Sequence, residues 1–322
     1  MSRGESKCSA DLFCRSPAFV PFAMRKPQPC SPLVTRHCFY PFPKKTDGET
    51  WNRLLEESRW DSDAKLRGAL HVRAVRRMIS VDCELKKETR VDPQRNPMDR
   101  TGMLDQLFEE WAQSRPEYVG NFSRDGIVDE RQYSEAQMRL LFILKEPRNH
   151  SDDLRHHGMD FAQGIKKNNA TWRNLISWSY GILNRFPPFS KRLSDPKAPE
   201  ALLKVAVLNL KKTRGGSSAV HQEILDFALD ESNRDFLKRE VRIIEPQVIV
   251  CCGRSTVDEP VRSILCPNST WVLSGNQLPY LCWDGSLIVS YYHPGYHVAD
   301  AVLYSYLMGE LRGLLNPESL EH

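Results

Sequence analysis

Hydrophobic positions along the chain follow two patterns that alternate from about residue 103 onward. Largely apolar runs occupy residues 140–144, 205–208, 248–252 and 287–291. Runs of this length and composition predict strands covered on both faces, as in a parallel sheet between helical layers. Between them, apolar residues recur at helical spacing. Leu104, Leu107, Phe108 and Trp111 fall at i, i+3, i+4 and i+7; Trp172, Leu175, Ile176 and Leu183 mark a second helix. Val220, Ile224, Leu225 and Leu229 mark a third, and Phe236, Leu237, Val241 and Ile244 a fourth. Val298, Val302, Leu303, Tyr306 and Leu307 predict a closing helix. Strand and helix alternating over residues 103–322 predict a three-layer α/β/α domain, doubly wound, with a mostly parallel central sheet of about four strands.

Residues 1–102 lack this order. They hold five of the nine cysteines and many prolines and arginines, with weak periodicity only around residues 51–78. Two readings fit: a disordered basic arm that touches nucleic acid, or an over-extended start with Met98 or Met103 as the true beginning. Charge divides at the same place. Residues 1–100 carry 20 Lys and Arg against 13 Asp and Glu, whereas the remainder carries 25 against 28. The net charge of +4 therefore says nothing about nucleic-acid binding by the downstream domain, which must be argued from local clusters.

Several classes are excluded or disfavoured. No run of about 18 apolar residues exists, so a transmembrane helix is not expected. Asp11, Arg15 and several prolines interrupt every candidate signal core. The cysteines form no Cys-x-x-Cys pair and no array with zinc spacing, which points to a reducing cytoplasm, and Cys251 and Cys252 read as small buried hydrophobes.

The ends of two strands carry the chemistry. Residues 140–144 lead into Lys145-Glu146-Pro147-Arg148-Asn149, and residues 287–291 lead into Tyr292-His293-Pro294-Gly295-Tyr296-His297. Ligands in open α/β sheets bind outside the carboxyl ends of strands, so an acid and a histidine are offered to one crevice. His293 and His297 are four apart, but Pro294 and Gly295 interrupt a helix and no third ligand is evident, so no metal is expected. Lys211-Lys212-Thr213-Arg214-Gly215-Gly216-Ser217-Ser218 combines cations with a flexible backbone and a helix start at Ser217 or Ser218, features that favour phosphate. It lacks Walker spacing, and an ordinary basic turn is the competing reading.

With these elements in place, the order of motifs resembles the uracil-DNA glycosylase superfamily across residues 103–315. Leu144-Lys145-Glu146-Pro147-Arg148 matches its first motif, a strand followed by an acid or asparagine and then proline. His157-Gly158-Met159-Asp160-Phe161 matches the segment that supplies a base-stacking aromatic; Val207-Leu208-Asn209 matches a strand-terminal asparagine; and His293-Pro294-Gly295 matches a His-Pro-Ser-like loop. Three positions depart: Leu144 or Lys145 stands for a glycine, Arg148 for glycine or tyrosine, and Gly295 for serine.

The resemblance implies a role for each residue. Glu146 would stabilise the oxocarbenium-like sugar and orient water, and His293 would donate to the base carbonyl as negative charge develops. Asn209 would read the pyrimidine edge, Phe161 would stack on the extruded base, and Pro147 and Arg148 would line its pocket. Lys211, Lys212 and Arg214 would contact phosphates, with Tyr296 as a wedge into the vacated stack and His297 beside it. Because Arg148 is not the bulky aromatic that excludes thymine, the implied substrate is uracil or a hypermodified cytosine. The cysteines at 251, 252, 266 and 282 do not match the family's iron–sulfur pattern, and no Schiff-base lysine is required. The expectation is a monofunctional, cofactor-independent DNA glycosylase, a cytoplasmic monomer acting on DNA in repair or phage defence. Two rivals stand beside it, a non-catalytic nucleic-acid-binding module on the same fold and a nucleoside hydrolase.

Overall fold

A computed structural model describes residues 99–148, 153–166, 169–216 and 219–315. The reading of residues 1–102 as an arm or over-extended start falls almost wholly outside them.

The first helix, α1 (Arg100–Gln113), is N-capped by Asp99, whose side chain accepts from the Gly102 N–H. It buries Leu104, Leu107, Phe108 and Trp111, the face its spacing predicts. There follow β1 (Gly126–Ile127), α2 (Glu130–Glu135), β2 (Leu140–Leu144), α3 (Leu154–Ala162), α4 (Ala170–Leu183), α5 (Phe189–Ser194) and β3 (Val205–Asn209). The chain continues through α6 (His221–Leu229), α7 (Glu231–Ile244), β4 (Val248–Cys252), α8 (Asp258–Leu265), β5 (Val272–Leu273), β6 (Pro279–Trp283), β7 (Ser286–Tyr291) and α9 (Asp300–Leu315).

All the strands join one sheet in the order β1-β3-β2-β4-β7-β6-β5. The four strands expected from apolar runs are its parallel centre: β2 pairs with β3 and β4, and β4 with β7. The expected count of about four is corrected to seven, because β1, β5 and β6 add antiparallel edges. Two of these are only two residues long, too short to show a pattern, and β6, which lies between β7 and β5, begins with a proline, tolerated as the first residue of a strand.

Alternate residues of each central strand enter opposite cores. Phe142, Val207, Val250 and Val289 pack under α4 and α9, together with Trp178, Leu175, Leu307 and Leu311. Leu141, Ile143, Ala206, Leu208, Ile249 and Ile288 pack under α1, α6, α7 and α8. Because β2 gives way to β3 on one side and β4 lies on its other, the winding reverses beside β2, which is where an open α/β sheet leaves a crevice.

Two helices depart from their expected faces. In α6 the buried residues are Ile224, Phe227 and Ala228, while Val220 precedes the helix as its cap and Leu229 is exposed. In α9 Leu303, Tyr304, Leu307, Met308, Leu311 and Leu314 are buried and Val302 faces outward, while Val298, also exposed, precedes the helix. The helix start expected at Ser217 or Ser218 lies outside the described residues. Among the described residues, no helix is long and apolar enough to cross a membrane.

Candidate active site

A cleft of about 700 Å³ opens at the carboxyl ends of the central strands. Lys145, Glu146, Pro147 and Arg148 reach it from β2, Asn209 from β3, and His293, Gly295 and His297 from the loop after β7. A further wall is the amino end of α4, contributed by Asn169, Ala170, Thr171 and Trp172, and Leu154, Gly216 and Ala219 also line the cleft. Asn169 caps that helix, its side chain accepting from the Thr171 and Trp172 N–H groups.

His293 is held in one tautomer. The Gly295 backbone N–H donates to Nδ1 at 3.0 Å, so in the neutral ring the proton sits on Nε2, leaving that nitrogen to donate. Burial, followed by the nearby cations of Lys145 and Arg148, pushes the pKa of His293 down to about 4. The imidazole is therefore neutral at physiological pH. Its loop is anchored from below: Asn174 on α4 donates through Nδ2 to the Pro294 carbonyl at 2.7 Å and to Asp300 Oδ1 at 3.0 Å.

Asn209 ends β3 with its side chain inside the cleft wall. The residue is only 1% exposed, and its backbone N–H donates to Asp125 Oδ2 at 2.7 Å. Its side-chain Nδ2 is buried without a hydrogen-bond partner. A buried orphan donor is costly, and one that lines a cleft is a place for a ligand acceptor.

The Glu146 carboxylate lies deep in the same cleft, with its side chain 5% exposed. Lys211 Nζ donates to its Oε2 at 2.9 Å and to Glu223 Oε2 at the same distance. Gly215 lies directly over the carboxylate, and a Cβ at that position would fall on its atoms. This closeness follows from the backbone. Past the ends of β2 and β3 the ladder continues, with Leu210 N–H to Leu144 O, Lys211 N–H to Lys145 O and Gly215 N–H to Pro147 O. On the other side of the same loop, Thr213 bridges Phe122.

That extended ladder corrects the assignment of Lys211 and Lys212 to DNA phosphates. Successive side chains on an extended segment point to opposite sides, so Lys211 turns to Glu146 and Lys212 turns into the core. Lys212 is completely buried, donating to Asp125 Oδ1 at 2.6 Å and Glu240 Oε1 at 2.9 Å, with its ammonium 5.4 Å from the Phe108 ring centre and 5.5 Å from that of Trp111. Of the three basic residues, Arg214 alone is exposed.

Phe161 is also placed differently from the expectation. It lies within α3, 8% exposed, and is not part of the cleft wall. Its ring stacks on Trp172 at 5.2 Å and 18°, and it is Trp172 that borders the cleft. Trp172 carries helical spacing and was legible only as core; the Asn169 cap was the signal that α4 begins at this point. Tyr296 is 52% exposed and stacks on Tyr292 at 5.3 Å, with the Arg254 guanidinium 4.4 Å from the centre of the Tyr292 ring. His297 lines the cleft and is exposed. Among the described residues, no group of three or more His, Cys, Asp or Glu is arranged to hold a metal.

No protein-family model matches the chain, and no curated protein is significantly similar to it.

Proposed function

We propose that the protein is a DNA glycosylase of the kind its motifs resemble, hydrolysing the N-glycosidic bond of a deaminated or modified pyrimidine extruded into the cleft. The observation that carries this reading is the combination, in one cleft, of a neutral histidine with a defined donor nitrogen and a buried asparagine amide lacking a partner. Both suit a pyrimidine, which offers carbonyl acceptors along its edge.

In this mechanism the C1′–N1 bond breaks and its electron pair passes to the base. The negative charge that develops on the base carbonyl oxygen is stabilised by the His293 Nε2–H. A neutral donor suits this step because it remains bonded as charge builds without surrendering its proton beforehand. The cationic sugar faces the Glu146 carboxylate, and water adds to C1′, its proton passing to solvent. Asn209 holds the base by its edge, and Trp172, backed by Phe161, supplies an aromatic wall. Arg148 leaves open a substituent at the pyrimidine C5 position, so uracil and hypermodified cytosine are both candidate substrates. Tyr296 and Arg214 border the DNA path, and the protein acts as a cytoplasmic monomer without a cofactor.

Base release from oligonucleotides containing uracil or modified cytosines, and from modified phage DNA, followed by alkaline cleavage, tests the reading. Wild type is expected to leave abasic sites in one substrate, and His293→Ala to be slower by about 10²–10³-fold. Release from free nucleosides alone would identify a nucleoside hydrolase. A folded chain that binds DNA but releases no base from any substrate would be a binding module.

A further inference from the structure

We infer that Lys211 is a positioning residue that fixes the Glu146 carboxylate in the cleft, not a phosphate ligand. The inference rests on the glycosylase reading and gives a role to a cation that the reading leaves without one.

Three observations converge on the same carboxylate. First, the ion pair is enclosed: Glu146 and Lys211 side chains are 5% and 9% exposed, whereas Glu223, the ammonium's second partner, is 59% exposed. A solvated Glu223 is screened, so the enclosed Glu146 is the partner that gains most from a fixed bond. Second, the backbones of the pair are in register, because the Lys211 N–H donates to the Lys145 carbonyl. The lysine stem therefore starts from a fixed point relative to the residue it holds. Third, Gly215 closes over the carboxylate on a side where no Cβ fits. Among the described residues, Lys211 is the only hydrogen-bond donor to Glu146, and it bonds Oε2. Burial works to lower the pKa of Lys211, but the bonds to Glu223 and Glu146 outweigh it and raise the value, so the ammonium stays charged.

A carboxylate that is to face a sugar cation gains from being held before the bond breaks, since reorientation during the reaction is then avoided. Lys211 supplies that constraint without touching the substrate.

The test is single-turnover base release by the full chain at saturating DNA, with affinity for the same DNA measured in parallel. Lys211→Ala is expected to slow release by on the order of 10²-fold, within the range of a lost acid–base group, with affinity retained. Methylamine is expected to restore part of the rate in Lys211→Ala and none in Lys211→Ala/Glu146→Ala. Gly215→Ala, which leaves the lysine in place and displaces the carboxylate, is expected to show the same loss of rate at retained affinity, independently of any instability in the lysine variant. A phosphate contact would instead weaken binding, flatten its salt dependence by about one unit of slope and leave the saturating rate unchanged, which would overturn the proposal. Lost rate with no amine rescue, together with a Gly215→Ala rate equal to wild type, would also overturn it. Active wild type with an unaffected Lys211→Ala removes this role alone; wild type inactive on every substrate removes the glycosylase reading and this role together.

Discussion

At the scale of single residues, His293 makes the sharpest claim about pH. Its pKa is about 4 in the fold against an ordinary 6.5, so the folded chain refuses a proton that the unfolded chain accepts between those values. Stability contributed by the neutral ring is therefore full above pH 6.5 and declines as pH falls toward 4, with no further loss from this group below that. The saturating rate of base release should follow the same donor: held from pH 7 to pH 5, with any limb from His293 near 4. A limb near 6.5 that disappears in His293→Ala would show that the ring titrates normally and would remove the neutral-donor mechanism. Lys212 makes a claim about stability. Removing one partner from a buried ion cluster leaves charge uncompensated, so Lys212→Met should cost about 3–5 kcal/mol in urea unfolding, where exposed Arg214→Ala should change little. Sequence could not separate these lysines. Both read as loop cations, and only the continuation of the ladder past Asn209 assigns one to the cleft and the other to the core. Glu146, Asn209 and His293, by contrast, were legible because each stands at or just past the end of an apolar run, where period and position coincide.

At the scale of elements, α4 connects the site to the core. Its amino end forms a cleft wall, Asn174 holds the Pro294 carbonyl, and Gly181 allows α9 to pack against it, since a Cβ there would meet Met308 and Tyr304. Gly181→Ala should therefore destabilise the fold by about 1–3 kcal/mol, the cost of overpacking, while the folded protein keeps the saturating rate of base release expected of wild type. Asn174→Leu should act on both quantities. It leaves the buried Pro294 carbonyl without this donor, at about 1–3 kcal/mol in denaturant unfolding, and it releases the loop that holds His293, lowering the saturating rate. An Asn174→Leu variant with wild-type rate would show that the loop is fixed by other contacts. The central strands were legible because a doubly covered strand is apolar throughout. The edges were not, because β1 and β5 are two residues each. The aromatic wall was misplaced for a related reason: Phe161 stands in the matched motif and Trp172 carries helical spacing, and their mutual stacking, with Trp172 bordering the cleft, is a tertiary contact.

At the scale of the whole molecule, charge is distributed unequally between the chain's two parts. The segment that carries the cleft is slightly acidic, and two of its candidate phosphate cations are engaged in ion pairs. Affinity for DNA is therefore expected to draw on the basic first hundred residues. A chain lacking residues 1–98 should bind DNA more weakly and with a shallower dependence on salt, and should release base at the same rate once saturated. Equal affinity and equal salt slope for the two chains would locate the DNA contacts entirely within the cleft domain. Sequence revealed this asymmetry but not its significance, since counting cations cannot tell a solvated lysine from a buried one.

The ladder that runs on beyond β3 also sets a limit on changes in chain length. The segment from Asn209 to Gly215 is tied by backbone bonds to residues 144–147 on one side and bridged to Phe122 on the other. One added residue just after Asn209 would set Leu210 opposite Glu146 in the place of Lys211 and turn the Lys211 ammonium toward Asp125 and Glu240 in the place of Lys212. An alanine inserted there is expected to abolish a single cooperative melting transition, so this stretch of surface loop has a fixed length, as a strand in the middle of a sheet does.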